Sequence, residues 1–482
     1  MIGWLVVVGY ALTGLIVWEQ LADPGSVEGA STTWRLVLSL LVAPALLKYV
    51  VQLLAAPWFA PVSWLRRQWR RQHRGAPVLP RISVIVPAWT EEVGIAATVR
   101  SALASNYPDF EVIVVNDGST DATDAVMRRL VSEHEGTGHS ADLVYLSKPN
   151  GGKGSALNLA LQEATGELVF TTDADSAIAP EALRRLARHF EDPRVMSVAA
   201  NVKLGNPRGA LGLVQQLEYL YGFYFKQADA LLGSIYIVGG AAAAYRRRVF
   251  DEVGGFDESN ITEDIEMSTR IQEAGHRISY APDAVVYTEA PLEWAGLARQ
   301  RLRWKFGRLM TFMQYRHLFF STARRHNKWL SLLLLPAALW SEVLLLFQPV
   351  LLGVLWTYTA LTSDYWPILL YAAAVAVLVH WQVLTDPRRT EYAKVLAIAP
   401  IAWFVLHVVD AIEFQALVRS IHRLVTGRGV TWQRWQRQGA FAHEPAAALP
   451  RRGYDPLGQS AGVGSSGFSG TSSNAVQSSL GR

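Results

Sequence analysis

Hydrophobic runs near both ends of the chain constrain its fold more than any other feature, because they bracket a long polar segment. The apolar runs are residues 4–18, 36–59, 329–360, 366–384 and 393–418. A helix of about 20 apolar residues spans the roughly 30 Å hydrocarbon core of a bilayer. We therefore predict two transmembrane helices within residues 1–60 and C-terminal transmembrane helices within residues 329–425. A signal peptide is the alternative for the first run, but no basic segment or small-residue cleavage site accompanies it.

Charge is distributed unevenly around the second run. Glu19, Asp23 and Glu28 precede it, whereas arginines 66, 67, 70, 71 and 74 follow it. Lys and Arg mark the cytoplasmic side of membrane proteins, so the polypeptide after this run is predicted to be cytoplasmic. Tryptophans among the arginines indicate that the basic segment 61–79 contains a helix lying in the membrane interface.

Composition favours membrane helices combined with one soluble domain. Half of the 482 residues are hydrophobic, which is high for a soluble enzyme, but 18% are charged, which is too many for a bundle embedded entirely in lipid. A net charge of only +4 gives no nucleic-acid-binding signature. The absence of cysteine excludes disulfides, zinc–thiolate sites and thiol catalysis.

The sidedness of the C-terminal region is ambiguous in the sequence. Three C-terminal spans would place the tail outside, whereas the arginines at 419, 423, 428, 434 and 437 predict that it is inside. The run at 329–360 is interrupted by prolines and by Glu342, and it could contain an extra crossing or an interfacial helix. Residues 426–482 are predicted to be a basic segment followed, from Gly439, by a disordered tail rich in Ala, Ser and Gly.

Residues 80–290 have the alternating pattern of a soluble α/β domain. Strands are predicted at 82–86, 110–115, 143–146 and 168–170, with helices at 92–104, 122–134 and 155–164. Strands alternating with helices predict a parallel, Rossmann-like sheet. Ligands bind such sheets at the carboxyl ends of the strands, so the polar residues at these ends are candidates for the functional site.

Three of the strand ends carry suitable residues. Asp117 ends the second strand and can hold a nucleoside, Lys153 lies in a glycine-rich loop after the third and can offset phosphate charge, and Asp173 and Asp175 follow the fourth. Two carboxylates at this spacing can share Mg²⁺ or Mn²⁺. Each feature also has a plain structural interpretation: a capped turn, a flexible loop and a chance Asp-x-Asp pair. The loop lacks the spacing of a Walker A motif.

Two further motifs lie towards the end of the polar segment. Thr262 precedes Glu263 and Asp264 at the start of a predicted helix, where the acids are either a helix-capping feature or a catalytic base for an acceptor hydroxyl. The run from Gln300 to Trp304 lies in a basic, aromatic segment at 291–328. Its structural interpretation is an interfacial helix with snorkelling arginines.

Taken in order, Asp-Gly, Asp-x-Asp, Thr-Glu-Asp and Gln-x-x-Arg-Trp resemble the motifs of the processive, inverting family 2 glycosyltransferases. These are the membrane synthases of cellulose, chitin, hyaluronan and poly-N-acetylglucosamine. The resemblance covers roughly residues 80–310 and implies an α/β glycosyltransferase domain of the GT-A (Rossmann-like) type. That domain would be cytoplasmic and inserted between N- and C-terminal transmembrane helices.

The resemblance also implies roles for individual residues. The nucleotide-sugar contacts are then Pro87, Glu91, Asp117, Lys153 and Asp173. Asp173 and Asp175 match the metal and diphosphate motif, which implies Mg²⁺ or Mn²⁺ as cofactor. Asp264 matches the general base, with Glu263 beside it. Relatives often carry Tyr-Asn where this chain has Trp89 and Thr90, so the edge of the nucleotide site differs.

The acceptor side is implied in the same way. Gln300, Arg303 and Trp304 match the motif that closes over the diphosphate and lines the acceptor site. A small-residue wall is expected at 239–241. One base carboxylate without a separate nucleophile is consistent with inversion in a single displacement.

The expected protein is therefore a metal-dependent, multi-pass enzyme of the bacterial plasma membrane. Its donor is a UDP-sugar, with UDP-N-acetylglucosamine first and UDP-glucose second, and its product is a β-linked exopolysaccharide of the biofilm kind. Expected partners are the polymer, the lipid bilayer and accessory membrane subunits, and no nucleic acid. The alternatives are transfer of a single sugar to a lipid, and a non-catalytic membrane transport or scaffold protein.

Overall fold

The computed structural model describes residues 43–74, 79–136, 138, 140–430 and 439–441. The first predicted span, at 4–18, and most of the tail lie outside these residues. Within them, one eight-stranded sheet has the order β3-β2-β1-β4-β7-β6-β8-β5. Its strands are β1 (Ile82–Ala88), β2 (Phe110–Asp117), β3 (Asp142–Lys148), β4 (Leu168–Thr172), β5 (Ser176–Ile178), β6 (Val195–Leu204), β7 (Ala242–Arg246) and β8 (Arg277–Thr288).

The first four strands form the parallel half of the sheet, as the sequence predicts. β1 pairs with β2 and β4, and β2 pairs with β3, all in parallel. Every residue of β2 and β4 is buried. This burial on both faces explains why these strands are nearly continuous apolar runs rather than alternating ones.

The second half of the sheet mixes directions and was not predicted. β7 is antiparallel to both β4 and β6, β6 is parallel to β8, and β5 is antiparallel to β8. β7 begins with three alanines, which have low strand propensity, so tertiary pairing decides its conformation. The sheet is therefore mixed rather than wholly parallel.

Helices cover the sheet and continue into the apolar segments. They are α1 (residues 43–55), α2 (Phe59–Arg74), α3 (Ile95–Leu103), α4 (Thr123–Glu135), α5 (Lys153–Glu163), α6 (Ala182–Ala187), α7 (Gly209–Leu232), α8 (Arg248–Val253), α9 (Glu263–Glu273), α10 (Trp294–Gln314), α11 (Leu335–Thr362), α12 (Trp366–Thr385), α13 (Ala393–Ile398) and α14 (Ala402–Val425). Two apolar cores, one on each face of the sheet, hold the α/β layers together.

Four helical segments of the described residues are long and apolar enough to cross a membrane. They are Ala43–Arg70, Leu330–Leu361, Ile368–Thr385 and Arg389–Val425. A short 3₁₀ turn, Ala56–Trp58, joins α1 to α2, because Pro57 has no N–H to donate within a helix. The long α11 stays helical through Pro349, so the run that begins at residue 329 contains one long helix.

Two segments beyond α12 return to the α/β domain. Lys203 Nζ lies 2.8 Å from Asp386 Oδ1, and the Tyr287 hydroxyl donates to Glu391 Oε1 at 2.7 Å. Residues 439–441, at the start of the expected tail, also contact the domain. Phe441 is buried in the core on one face of the sheet, and the backbone N–H of Ala440 donates to Glu289 at 3.2 Å.

Candidate active site

One large cavity lies at the carboxyl ends of the parallel strands and continues between the apolar helices. Its volume is about 860 Å³. All eleven residues singled out in the sequence line it: Pro87, Glu91, Asp117, Lys153, Asp173, Asp175, Glu263, Asp264, Gln300, Arg303 and Trp304. Residues separated by more than 200 positions in the chain thus meet in one place.

Lys153 connects two of the acidic motifs. Its ammonium lies 2.8 Å from Asp173 Oδ1 and 2.8 Å from Glu263 Oε1. Burial alone would lower the pKa of Lys153, but Asp173, Glu263 and Asp264 outweigh burial and raise it. Lys153 is therefore a fixed positive charge at the first turn of α5, placed to meet an anionic ligand.

Asp264 faces the cavity in the first turn of α9. Burial and the neighbouring Glu263 raise its pKa to about 6, against the opposing effect of Lys153. Thr262 forms no side-chain cap on α9, although Glu263, Asp264 and Glu266 all lie in its first turn. A Cβ at Gly240 would approach Lys153 Nζ to 2.9 Å and Asp264 Cγ to 3.4 Å, so the expected small-residue wall stands directly against the acidic cluster.

Asp117 organises the glycine-rich loop from the wall of the cavity. Its carboxylate accepts from Lys148 Nζ at 2.8 Å and from the backbone N–H groups of Gly151 and Gly152 at 2.9 and 2.8 Å. Gly152 has φ +90°, a left-handed conformation that favours glycine. Lys148 was missed in the sequence, although its place at the end of β3 beside Asp117 is the same signal that identified the acid.

Asp173 and Asp175 stand on the turn that follows β4. The hydroxyl of Thr98 donates to the carbonyl of Ala174 at 2.7 Å and fixes this turn. Within the described residues, no group of three or more His, Cys, Asp or Glu could hold a metal. Two carboxylates nevertheless suit Mg²⁺ or Mn²⁺ when substrate phosphates supply further oxygens, so this donor set fits a cation bound together with a diphosphate.

Trp304 is held by a residue that the sequence did not single out. The Arg301 guanidinium stacks 4.2 Å above the Trp304 ring. Arg301 is only 1% exposed and pairs with Glu218 of α7 at 2.6 Å and with Glu413 of α14 at 3.2 Å. A buried guanidinium fixed on two sides can set the orientation of an aromatic ring.

The same helix continues this charge network towards the membrane helices. Lys305 Nζ lies 2.6 Å from Glu342 and 2.9 Å from Glu413, and Arg308 also pairs with Glu342. Glu342, which interrupts an apolar run of the sequence, and Glu413 are therefore partners of α10. Ion pairs between distant segments carry no local sequence signal, which is why this network was not foreseen.

Beyond the network, polar side chains line the part of the cavity between the apolar helices. Lys48 and Gln52 of α1, Gln348 of α11 and Asp410 of α14 all face it. Gln52 donates to Asp229 at 2.8 Å, and Gln348 donates to Asp410. The cavity is therefore lined by polar side chains between the apolar helices as well as at the ends of the strands.

Comparison with known proteins shows which family model the segment carrying this site matches. Residues 80–307 match the model of the family described as "Glycosyltransferase like family 2". A mannosyltransferase from Pyrobaculum calidifontis, solved with GDP-Man and Mn²⁺, has a TM-score of 0.51 and 23% identity, covering 79% of this chain and 99% of that one. Residues 80–307 are thus similar to family 2 glycosyltransferases, and the expected GT-A fold is confirmed.

Curated relatives are similar over part of the chain. A poly-beta-1,6-N-acetyl-D-glucosamine synthase of Staphylococcus aureus (strain COL) is 29% identical over 276 residues, covering 56% of this chain and 64% of the relative. A Staphylococcus epidermidis protein of the same name is 30% identical over 230 residues, covering 47% and 54%. The chain thus matches less than two thirds of the length of these relatives.

Proposed function

We propose that this chain is an inverting membrane glycosyltransferase that transfers N-acetylglucosamine from UDP-N-acetylglucosamine to a growing β-linked polysaccharide. One observation carries the proposal: the eleven candidate site residues singled out in the sequence line a single cavity that continues between the apolar helices. The similarity to the staphylococcal synthases supports the choice of sugar and of polymer. UDP-glucose is the second candidate donor.

The proposed roles fall into two groups: a base for the acceptor, and residues that bind the donor nucleotide. Asp264 accepts the proton of the acceptor hydroxyl, which attacks the anomeric carbon opposite the leaving diphosphate and gives a β-linkage. Lys153 and Arg303 oppose the negative charge that develops on the diphosphate. Asp173 and Asp175 would hold Mg²⁺ or Mn²⁺, which supplies further charge neutralisation when bound. Pro87, Glu91 and Asp117 form the nucleoside side.

Incubating membranes with different radiolabelled UDP-sugars, followed by sizing of the product, tests this function. Incorporation of N-acetylglucosamine into a polymer supports it. A product that consists of a lipid carrying a single added sugar would contradict polymerisation and favour the lipid-acceptor alternative. Absence of UDP release by purified protein with any UDP-sugar would favour the non-catalytic alternative.

Processivity is expected to depend on Trp304. Trp304 lines the same cavity as Asp264, and sugars stack their apolar C–H faces on aromatic rings. We expect Trp304→Ala to give no polymer or only short oligosaccharides while UDP binding remains. Product length is measured by gel electrophoresis and UDP affinity by calorimetry.

Trp294 provides a matched control for this experiment. It lies on the same helix, is 50% exposed and does not line the cavity. Trp294→Ala reports the effect of removing an interfacial anchor alone, so its products should keep the wild-type length. If Trp304→Ala also leaves the polymer length unchanged, Trp304 is only an anchor.

We further propose that the α/β domain and the C-terminal segment lie together in the cytoplasm. The arginines of α2 directly before the domain support this side. Contacts of Asp386 and Glu391, and later of Ala440, with the domain support an even number of membrane crossings by the chain between them. The 24 residues of α14 cannot cross and return, so we propose that α14 lies beside α10 in the interface.

Cysteine labelling tests this topology in a chain that has no native cysteine. Ser132 of the domain, Thr426 after α14 and Ser363 between α11 and α12 are all exposed. Single cysteines at 132 and 426 should resist an impermeant thiol reagent in intact cells and react after lysis, whereas a cysteine at 363 should react in intact cells. Labelling at 426 in intact cells would show that α14 crosses the membrane.

A further inference from the structure

A second, smaller cavity lies where α2 meets the opposite end of the α/β domain. Its volume is about 40 Å³, room for a few water molecules or one tetrahedral anion. Five arginines line it: Arg66, Arg67, Arg70, Arg188 and Arg277. We call this cavity the arginine pocket. None of its lining residues belongs to the candidate active site.

The arginine pocket carries far more positive than negative charge. Asp192 is the one carboxylate in its lining, so five positive charges face one negative charge. Asp192 lies 3.7 Å from Arg70 and also pairs at 2.9 Å with Arg194, which lies outside the pocket. Among the described residues, no carboxylate lies within ion-pair distance of Arg66, Arg67, Arg188 or Arg277. Asp283 and Glu191, which lie outside the lining, act on Arg67 without forming an ion pair with it, so the positive charges of the pocket are balanced only in part.

Other groups in the pocket do not relieve this imbalance. The His189 ring lies 2.9 Å from the Ser279 hydroxyl, and burial, together with the surrounding arginines, lowers the pKa of His189 to about 4. Burial and neighbouring arginines also lower the pKa of Arg277. Arg70 Nε is buried and makes no hydrogen bond within the part of the chain that the structure describes. These features describe a site that gains free energy when an anion enters it.

The position of the pocket indicates where that anion comes from. α2 begins within the candidate membrane span Ala43–Arg70, and the pocket residues Arg66, Arg67 and Arg70 lie at the end of that span. Trp64, Leu65 and Trp69 of the same helix are 39%, 57% and 56% exposed, so an apolar face is turned away from the domain while the arginines line the pocket. Such a helix lies at the depth of lipid headgroups.

We infer that the arginine pocket binds a phosphate group, in the first place that of an anionic lipid headgroup, and so fastens the catalytic domain to the membrane. Guanidinium groups bind phosphate oxygens in pairs and with defined geometry. Several arginines around one small cavity favour a single phosphate over diffuse attraction to a charged surface.

The test uses the purified full-length protein in non-ionic detergent. Its thermal unfolding midpoint is measured against increasing dihexanoyl phosphatidylglycerol below its micellar concentration, inorganic phosphate, and sodium chloride at matched ionic strength. Arg67→Gln/Arg277→Gln is the pocket variant, and Arg129→Gln, an exposed arginine on α4, is the control.

We expect both phosphate probes to stabilise the wild type and Arg129→Gln beyond the effect of chloride. The pocket variant should bind each probe at least tenfold more weakly. Without any probe its midpoint should be higher than that of the wild type, because like charges no longer repel each other. A purely structural role for these arginines predicts a lower midpoint instead.

The relative affinities for the two phosphate probes identify the source of the bound phosphate group. Tighter binding of phosphatidylglycerol than of inorganic phosphate identifies the lipid headgroup as the source, and the reverse identifies free phosphate. An equal response of the pocket variant and Arg129→Gln to both probes would overturn the inference, as would a wild type that responds only to ionic strength. If the double variant does not fold, Arg188→Gln, at an exposed position, takes its place.

Discussion

Replacing Asp264 by asparagine should lower kcat by about 10²-fold or more while UDP affinity stays within a few-fold of wild type. Asparagine has nearly the same shape as aspartate, but it cannot accept the proton of the acceptor hydroxyl. The diphosphate-side residues Lys153 and Arg303 remain in place. Binding and chemistry should therefore separate in this variant.

The pH dependence gives an independent signature of the same group. Because burial and Glu263 raise the pKa of Asp264 to about 6, the base is protonated and inactive at lower pH and ionised at higher pH. The activity of the wild type should therefore rise with pH through about 6 and then level off. Residual activity of Asp264→Asn should lack this acidic limb.

Kinetics with UDP release and calorimetric titration of UDP measure the two effects separately. Asp251→Asn, on the exposed surface of α8, controls for the chemical change itself and should behave as wild type. If UDP affinity falls together with kcat in Asp264→Asn, the residue is a nucleotide ligand and the base lies elsewhere.

The parallel half of the fold and the position of the site are readable from the sequence for one physical reason. Buried parallel strands are apolar runs, and their carboxyl ends must meet at one edge of the sheet. Asp117 and Asp173 end or closely follow such strands, so their proximity follows from the pattern alone. The antiparallel strand β7 is different, because its alanines carry no strand signal and only pairing with β4 and β6 defines it.

Ion pairs between residues that are distant in the chain could not be predicted from the sequence. Arg301 lies one position after Gln300 and resembles any interfacial arginine until Glu218 and Glu413 are seen to enclose it. Glu342 was noted as a charged residue within an apolar run, but its partner Lys305, which also pairs with Glu413, was not. The C-terminal sidedness was ambiguous for the same reason, since the contacts of Asp386 and Ala440 with the domain, which support the side proposed here, carry no local sequence signal.

Replacing Asp175 by asparagine should nearly abolish turnover, with a fall of at least about 10²-fold, because one of two anionic oxygen ligands for the cation is lost. The side chain stands on the turn after β4, with the hydroxyls of Ser176 and Thr288 at 3.5 and 3.4 Å from its Oδ1. An amide of the same size can accept from both hydroxyls. The fold should therefore survive, which circular dichroism and the thermal unfolding midpoint would show.

The cation itself is tested by a binding measurement that does not depend on turnover. Mn²⁺ should increase the affinity of the wild type for UDP, because an ion held by Asp173 and Asp175 would supply positive charge beside the diphosphate. Asp175→Asn should lose most of this increase while keeping the weaker, metal-free affinity that Lys153 supports. The Asp251→Asn control should keep the full Mn²⁺ effect. Wild-type activity that persists in excess EDTA would contradict the assignment of a metal ion to Asp175. An equal Mn²⁺ effect on UDP affinity in Asp175→Asn and Asp251→Asn would contradict it as well. Lys153 and Arg303 would then be the charges that balance the leaving diphosphate.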